Sequence, residues 1–187
     1  MRVISGTAKG RKLKKVPGDS TRPILDRVKE SLFNILWDDV PDSHWLDLFA
    51  GTGQVGIEAL SRGASAVVFI DNVRAAIRTI EANLQQTQLV DGATVLMTDA
   101  FVYLNGVPKR PFDFIYVAPP QYQDIWIQIM QVLDKRTDLL LQPAGVVIVQ
   151  IDPREYQELD LMNLQQYRQK KYGNTLLCFY EVSVPAE

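Results

Sequence analysis

The sequence predicts an α/β fold with a mostly parallel sheet, helices on both faces and an antiparallel pair at its end. Three observations carry this. Short apolar runs alternate with stretches of helical spacing from His44 to Ile151, and each run is too short for anything but a buried strand. A glycine-rich loop leaves the first strand and opens a helix. After residue 158 the apolar spacing becomes strand-like, with a Lys170-Lys171-Tyr172-Gly173-Asn174 turn, which suits a hairpin.

Taken in order, residues 1–15 hold six basic side chains and no acid; the alternation at Arg2 to Ser5 and the Gly6 to Gly10 stretch suit a short hairpin or extended arm. Ile24, Val28, Leu32, Ile35 and Leu36 repeat at helical spacing behind Pro23, predicting a helix that ends near Asp38-Asp39. Strands are expected over 44–49, 66–70, 94–97, 112–117 and 146–151, and helices over 53–62, 74–86 and 125–135. The closing strands are expected over 159–168 and 176–184. Residues 1–40 therefore read as a basic arm with its helix, and residues 41–187 as one compact domain.

With 187 residues, 47% hydrophobic and 22% charged, the chain can bury a core without disulfides or a structural metal. One His and one Cys, His44 and Cys178, leave no zinc set. No apolar run approaches the roughly 18 residues of a membrane helix, so a cytoplasmic protein without membrane contact is expected. The net charge of -2 hides an asymmetry: residues 1–30 carry nine Lys/Arg against three acids, a net of +6, and the remainder carries -8. A cationic segment on an acidic body suits a polyanionic partner. Lys9, Arg11, Lys12, Lys14, Lys15, Thr21, Arg22 and Arg27 are its candidate phosphate contacts, to which Lys171 and Tyr172 of the final turn can add.

The loop Asp47-Leu48-Phe49-Ala50-Gly51-Thr52-Gly53-Gln54-Val55-Gly56 has GxGxxG spacing, and Asp71 stands at the next strand end, twenty residues after Gly51. Such a loop binds a dinucleotide or another nucleoside cofactor, and the same glycines also serve a tight turn. Asp47, at the strand's carboxyl end, favours a cofactor that brings positive charge. That points to S-adenosylmethionine, with its sulfonium and α-amino cation, over NAD and its pyrophosphate. Asp99, in Met97-Thr98-Asp99-Ala100, suits an adenine amino group or a helix cap.

The glycine loop, Asp71, the Thr98-Asp99-Ala100 turn and the Pro-Pro after the fourth strand together resemble the class I S-adenosylmethionine methyltransferases. The opening GTAKGRKLKKVPGDSTRPILDRVKESLFNIL, the run LFAGTGQVGIEALSRGA and the ending KKYGNTLLCFYEV resemble the RsmD family of 16S ribosomal RNA guanine-N2 methyltransferases. That resemblance implies a Rossmann-like, seven-stranded, mostly parallel sheet whose last strand is antiparallel. It implies that Asp47, Phe49, Ala50, Gly51, Thr52, Gly53 and Gly56 hold the methionine part of the cofactor, Asp71 and Asn72 the ribose, and Asp99 and Ala100 the adenine. The implied substrate is a guanine of 16S rRNA in a small subunit or its precursor; the protein itself is expected to be a monomer.

Amine methyltransferases of this kind carry Asp/Asn-Pro-Pro-Tyr/Phe after the fourth strand. An acidic or amide oxygen and a backbone carbonyl accept the two N–H bonds and turn the amine lone pair toward the methyl donor, while the aromatic ring stacks on the base. This chain reads Ala118-Pro119-Pro120-Gln121-Tyr122: the side-chain acceptor is absent and the aromatic comes one position late. These five residues are the candidate catalytic set, with Gln121 the nearest substitute acceptor. Three readings follow: an RNA methyltransferase, an assembly factor that binds RNA without catalysis, and, on the glycine spacing alone, a nicotinamide oxidoreductase.

Overall fold

The computed structural model describes residues 1–18 and 23–183, so Thr21, Arg22 and the expected strand end at Val184 lie outside the described residues. The chain divides into two units, residues 1–100 and 101–187.

In the first unit, α1 (Asp26–Leu36) buries Val28, Lys29, Leu32, Phe33 and Leu36, one face at three- and four-residue spacing. A 3-10 turn, Trp37–Asp39, follows it. The glycine loop joins β1 (His44–Asp47) to α2 (Gln54–Ser61), after which come β2 (Ala66–Asp71), α3 (Arg74–Thr87) and β3 (Ala93–Met97). β1 is buried along its whole length. It runs parallel to β2, pairing His44 with Ala66 and Asp47 with Phe69, and β2 runs parallel to β3. Parallel order brings the carboxyl ends of all three strands to one side, which puts Asp47, Asp71 and the residues after Met97 on the same rim.

The basic arm is a built part of this unit rather than a solvated tail. Arg2 and Lys12 form an antiparallel bridge, as the hairpin expectation required. Val3, Ala8, Leu13 and Val16 are buried while Lys9, Lys12, Lys14 and Lys15 are exposed. The arm runs along the end of α2: a Cβ at Gly6 would lie 1.7 Å from the Ser61 carbonyl oxygen, and Gly6 has φ +80°, so only glycine fits.

α4 (Ala100–Asn105) begins at the last residue of the first unit, and the second unit continues with β4 (Phe112–Val117), α5 (Ile125–Lys135), α6 (Thr137–Leu140), β5 (Leu141–Ile151), β6 (Leu164–Tyr172) and β7 (Thr175–Val182). β4 and β5 are parallel, with Phe114 opposite Val146 and Val117 opposite Val149. Ala118 and Asp152 therefore leave the sheet at the same end. β7 is antiparallel to both β5 and β6. The strands are ordered β3-β2-β1 in the first unit and β4-β5-β7-β6 in the second, seven strands, mostly parallel and with the antiparallel last strand that the resemblance implied.

Among the boundaries that differ from expectation, the larger shifts have local causes. β5 begins at Leu141 rather than 146, because a register shift between Phe112 and Phe114 accommodates the extra residues. β6 begins at Leu164 rather than 159, because Asp134 takes the N–H groups of Met162, Asn163 and Leu164 at 3.0, 2.7 and 2.9 Å. Strand pairing continues to Tyr172 opposite Thr175, so the turn shrinks to Gly173-Asn174, with Gly173 at φ +59°. β1 stops at Asp47, two residues short, where the chain turns into the glycine loop.

Candidate functional site

At the end of β1, Asp47 is 1% exposed. Its Oδ2 accepts from the Gly56 N–H at 3.2 Å, and its Oδ1 has no partner. Burial pushes its pKa up to about 7, opposed by the Gly56 N–H and reinforced by the nearby Asp71 carboxylate. A buried carboxylate with an empty acceptor position is an incomplete site: it is stabilised by a proton or by an incoming cation.

Asp71, half-buried at the end of β2, accepts from Gly51 N–H at 2.9 Å through Oδ2 and from Val73 N–H at 2.9 Å through Oδ1. It fixes the loop and caps its own turn, and each carboxylate oxygen keeps a lone pair for a further donor. The three glycines do different work. Gly51, at φ +55°, has nothing within 4 Å of where a Cβ would stand, so the chain leaves open space there. Gly53, at φ +75°, is the residue from which α2 starts. A Cβ on Gly56 would come within 2.3 Å of the Phe69 ring; this glycine lets α2 lie on β2 and aims its N–H at Asp47, a packing role.

Ala50 is buried and donates to the Ile70 carbonyl at 2.9 Å. Thr52 is buried, Phe49 half-buried and Asn72 exposed. Asp99 is exposed immediately before α4, whose first residue is the buried Ala100. It therefore occupies a cap position while keeping an accessible side chain.

Two buried side chains that sequence reasoning missed tie the basic arm to this loop. Asn83 of α3 accepts from Lys14 N–H at 2.7 Å and donates to the carbonyls of Lys14 (3.1 Å) and Thr52 (2.9 Å). Glu58 of α2 accepts from the Ile4 and Ser5 N–H groups at 2.8 and 3.0 Å, pairs with Arg62 at 2.9 Å, and pairs with Lys29 at 3.2 Å. Lys29 and Glu58 are both fully buried, and burial holds the Lys29 pKa down against the pull of Glu58. One of the nine cations counted in the arm segment thus never reaches solvent. Arg11 bonds Gln86 and Gln88 of the α3 end, whereas Lys9, Lys12, Lys14, Lys15 and Arg27 are exposed.

In the second unit the residues after β4 are Ala118, half-buried, Pro119, buried, and Pro120, exposed. Gln121 is half-buried. Tyr122 has φ +61°, an unfavourable conformation for a bulky residue that persists only where neighbours impose it. Its N–H donates to Glu155 Oε1 at 2.5 Å and its hydroxyl to Asp152 Oδ2 at 2.7 Å. The Arg154 guanidinium donates to the hydroxyl and lies 5.3 Å from the ring centre. Asp152 and Glu155 form a capping box. The Arg154 and Tyr122 hydrogen bonds hold the Asp152 carboxyl well below the usual range. Sequence reasoning missed this cluster, although Asp152-Pro153-Arg154-Glu155 carries the box in plain sight. Lys171 is exposed and Tyr172 half-buried, on β6.

Comparisons with known proteins follow the whole chain. A family model described as "Conserved hypothetical protein 95" matches residues 1–181. YlbH of Bacillus subtilis is 37% identical over 183 residues, 97% of this chain and 98% of its own. The ribosomal RNA small subunit methyltransferase D of Haemophilus influenzae is 32% identical over 154 residues, 81% and 79% of the two chains. The structure of yhhF from Escherichia coli superposes with a TM-score of 0.84 at 29% identity, covering 97% of each chain. An RNA methyltransferase from Salinibacter ruber, solved with S-adenosyl-L-homocysteine, shares the fold at a TM-score of 0.65 and 14% identity, over 89% and 98% of the chains. Likeness that runs from residue 1 to residue 181, with homologues above 30% identity over most of its length, makes this chain a member of the RsmD family of methyltransferases.

Proposed function

We propose that this protein transfers the methyl group of S-adenosylmethionine to the exocyclic N2 amine of a guanine in the 16S RNA of the small ribosomal subunit or its precursor. The observation that carries the reading is Asp47: a buried carboxylate with one unpartnered oxygen, in a loop whose Gly51 leaves open space. An ammonium group completes such a site, whereas a pyrophosphate would add like charge to it, so the nicotinamide reading loses its support. Asp71 keeps acceptor positions for ribose hydroxyls, and Asp99 stands accessible for the adenine amino group. The related Haemophilus influenzae protein is named for small-subunit ribosomal RNA methylation, which supports the substrate class.

When bound, S-adenosylmethionine supplies an electrophilic methyl group and leaves as a neutral thioether. The chain's own part is to orient the amine. The Ala118 and Pro119 carbonyls accept its N–H bonds, Gln121 adds a side-chain acceptor, and Tyr122 offers its ring to the base. No strong base is needed, because the nitrogen becomes acidic once methylated and loses its proton to water. This agrees with the single His of the chain, His44, lying buried at the first residue of β1, the end of the strand away from the loop. Lys9, Lys12, Lys14, Lys15 and Arg27 neutralise RNA phosphates, and the reactive base leaves its stack or comes from an unpaired loop. No helix among the described residues is long and apolar enough to cross a membrane; with this substrate the protein works in the cytoplasm, as a monomer.

Ala118 favours a second reading, an assembly factor that binds RNA without methylating it. One experiment separates the two. Small subunits from cells lacking the protein are mixed with it and methyl-labelled S-adenosylmethionine, and the RNA is mapped by mass spectrometry. One guanine gaining a methyl group at N2 is the expected result; tight RNA binding without transfer establishes the second reading instead.

A further inference from the structure

We infer that Arg154 is a specificity-determining residue that reads the O6 edge of the target guanine beside the ring of Tyr122. The inference rests on the methyltransferase reading above and adds the group that distinguishes guanine from other amine-bearing bases.

Parallel pairing of β4 and β5 places residues 118–122 and 152–155 at one end of the sheet. There Asp152, 1% exposed, grips Arg154 along one edge: Oδ1 accepts from Nε at 3.1 Å and Oδ2 from Nη2 at 3.1 Å. The backbone N–H of Arg154 also donates to Oδ1 at 2.9 Å. Two parallel bonds fix the plane of a guanidinium, as a single bond does not. Nη2 also donates to the Tyr122 hydroxyl, and the guanidinium carbon lies 5.3 Å from the ring centre. Nε and Nη2 are therefore engaged and the plane is held, while the two N–H groups of Nη1 take part in none of these bonds. The Arg154 side chain is nevertheless 76% exposed. It is a pre-oriented double donor at the mouth of the Pro-Pro loop, next to a 57% exposed aromatic ring.

The chemistry of that donor pair selects its partner. Arginine donating to O6 and N7 is the commonest specific contact to guanine, and adenine presents an N6 donor where guanine has its O6 acceptor. A base lying against Tyr122 with O6 toward Nη1 gains a charge-assisted bond if it is guanine and meets a donor if it is adenine. The Glu155 bond to the Tyr122 N–H keeps the ring where this pairing works, and the strained φ of Tyr122 shows how strongly the cluster imposes that position.

The test uses a base that keeps the reacting amine and lacks O6, and with it the N1 proton, so the change of ratio in the Arg154 variants rather than the wild-type ratio alone decides. Once the mapping experiment has located the target, subunits are reconstituted with guanine or 2-aminopurine at that nucleotide, and transfer is followed with wild type, Arg154→Gln and Arg154→Lys. Wild type is expected to prefer guanine by roughly ten- to hundredfold in kcat/KM, the range of a charge-assisted hydrogen bond, and both variants to bring that ratio close to one. Equal loss on both bases would mean that Arg154 holds a phosphate or only the loop, and would overturn the inference while leaving methyl transfer established. An unchanged ratio would overturn it too. Absence of transfer by wild type to any subunit defeats the underlying reading, and this inference with it. Thermal unfolding and S-adenosylhomocysteine titration, both expected to match wild type, exclude a folding defect as the cause of a changed ratio.

Discussion

The glycine loop of the first unit and the Pro-Pro loop of the second are built on opposite principles. Around Gly51 the positions are set by backbone and by buried or half-buried side chains: Asp71 fixes the Gly51 N–H, Gly56 aims at Asp47, and Asn83 holds the Thr52 carbonyl. Around Tyr122, itself exposed, they are set by the buried Asp152, the half-buried Glu155 and the exposed Arg154 of a turn some thirty residues away. A site made by backbone geometry tolerates little change in sequence. One held by side chains of a distant turn can move its aromatic by a residue, or lose its acceptor, and still keep a usable shape. The departure from the expected motif occurs in the loop built to absorb it.

The largest test of that contrast is Glu58. It is fully buried and serves Lys29, Arg62 and two backbone N–H groups of the arm. Glu58→Ala leaves the Lys29 ammonium buried without its carboxylate, on the Arg2 carbonyl that it also donates to, a loss of about 3 to 5 kcal/mol in unfolding free energy, read by urea denaturation. The arm should also become a site of early proteolysis. Tyr122→Ala, at the exposed ring, should shift the same denaturation midpoint little. Equal losses in the two variants would erase the contrast.

Asp47 makes the next largest prediction, and its sign follows from its raised pKa. The folded protein holds the proton up to about pH 7, whereas the unfolded chain loses it at about pH 4. Between those values the native state binds more protons than the unfolded state, so stability falls as pH rises. Across that window the loss amounts to about 4 kcal/mol, at about 1.4 kcal/mol for each pH unit. The difference between wild type and Asp47→Asn, followed from about pH 4 to about pH 8 to bracket both values, isolates this from other carboxylates: the wild-type curve should drop through the window relative to the variant. S-adenosylmethionine should bind wild type more tightly above neutral pH than in mild acid, since its ammonium prefers the carboxylate.

Gly56→Ala is smaller. The added methyl meets the Phe69 ring at 2.3 Å and Val67 at 2.7 Å, and overpacking of that kind costs about 1 to 3 kcal/mol, partly offset by the better helix propensity of Ala. Gly51→Ala adds a methyl to open space at φ +55°. It should hurt cofactor affinity more than stability, the reverse of Gly56→Ala. Calorimetric melting beside cofactor titration distinguishes the packing glycine from the cofactor glycine, which their shared motif does not.

How much of this was legible in the sequence follows the range of the interactions. The strands were legible because buried parallel strands are short apolar runs bounded by turns. The glycine loop and Asp71 were legible because a strand-to-helix turn is local. α4 and α6, six and four residues long, are too short to show a period. Asn83 and Glu58 were not legible as anchors, since each meets the arm across more than fifty residues, and a buried Asn or Glu on a helix looks like any other polar position. Lys29 was counted as part of a cationic face for the same reason: burial is a property of the packed molecule. Tyr122 was found but its strained backbone was not, because its cause lies in Asp152 to Glu155.

The smallest expected effect bears on Ala118, where the contrast between the two loops becomes chemical. If the Pro-Pro loop lacks only a side-chain acceptor and keeps its carbonyls and ring in place, restoring a carboxylate adds one charge-assisted bond to the amine. Ala118 is half-buried at the carboxyl end of β4, so a side chain two bonds longer has a route to solvent and need not disturb Val117. Ala118→Asp should then raise kcat on small subunits by about tenfold, equivalent to about 1.4 kcal/mol, with unfolding unchanged. A large loss of activity at unchanged stability would show that Tyr122, moved by one residue and held by Glu155, has redefined the position of the base, so that a carboxylate at 118 now meets it in the wrong place. Combining Ala118→Asp with Glu155→Ala resolves that case: releasing the Tyr122 backbone should return activity to the single variant if the displaced ring was the obstacle, and lower it further if it was not.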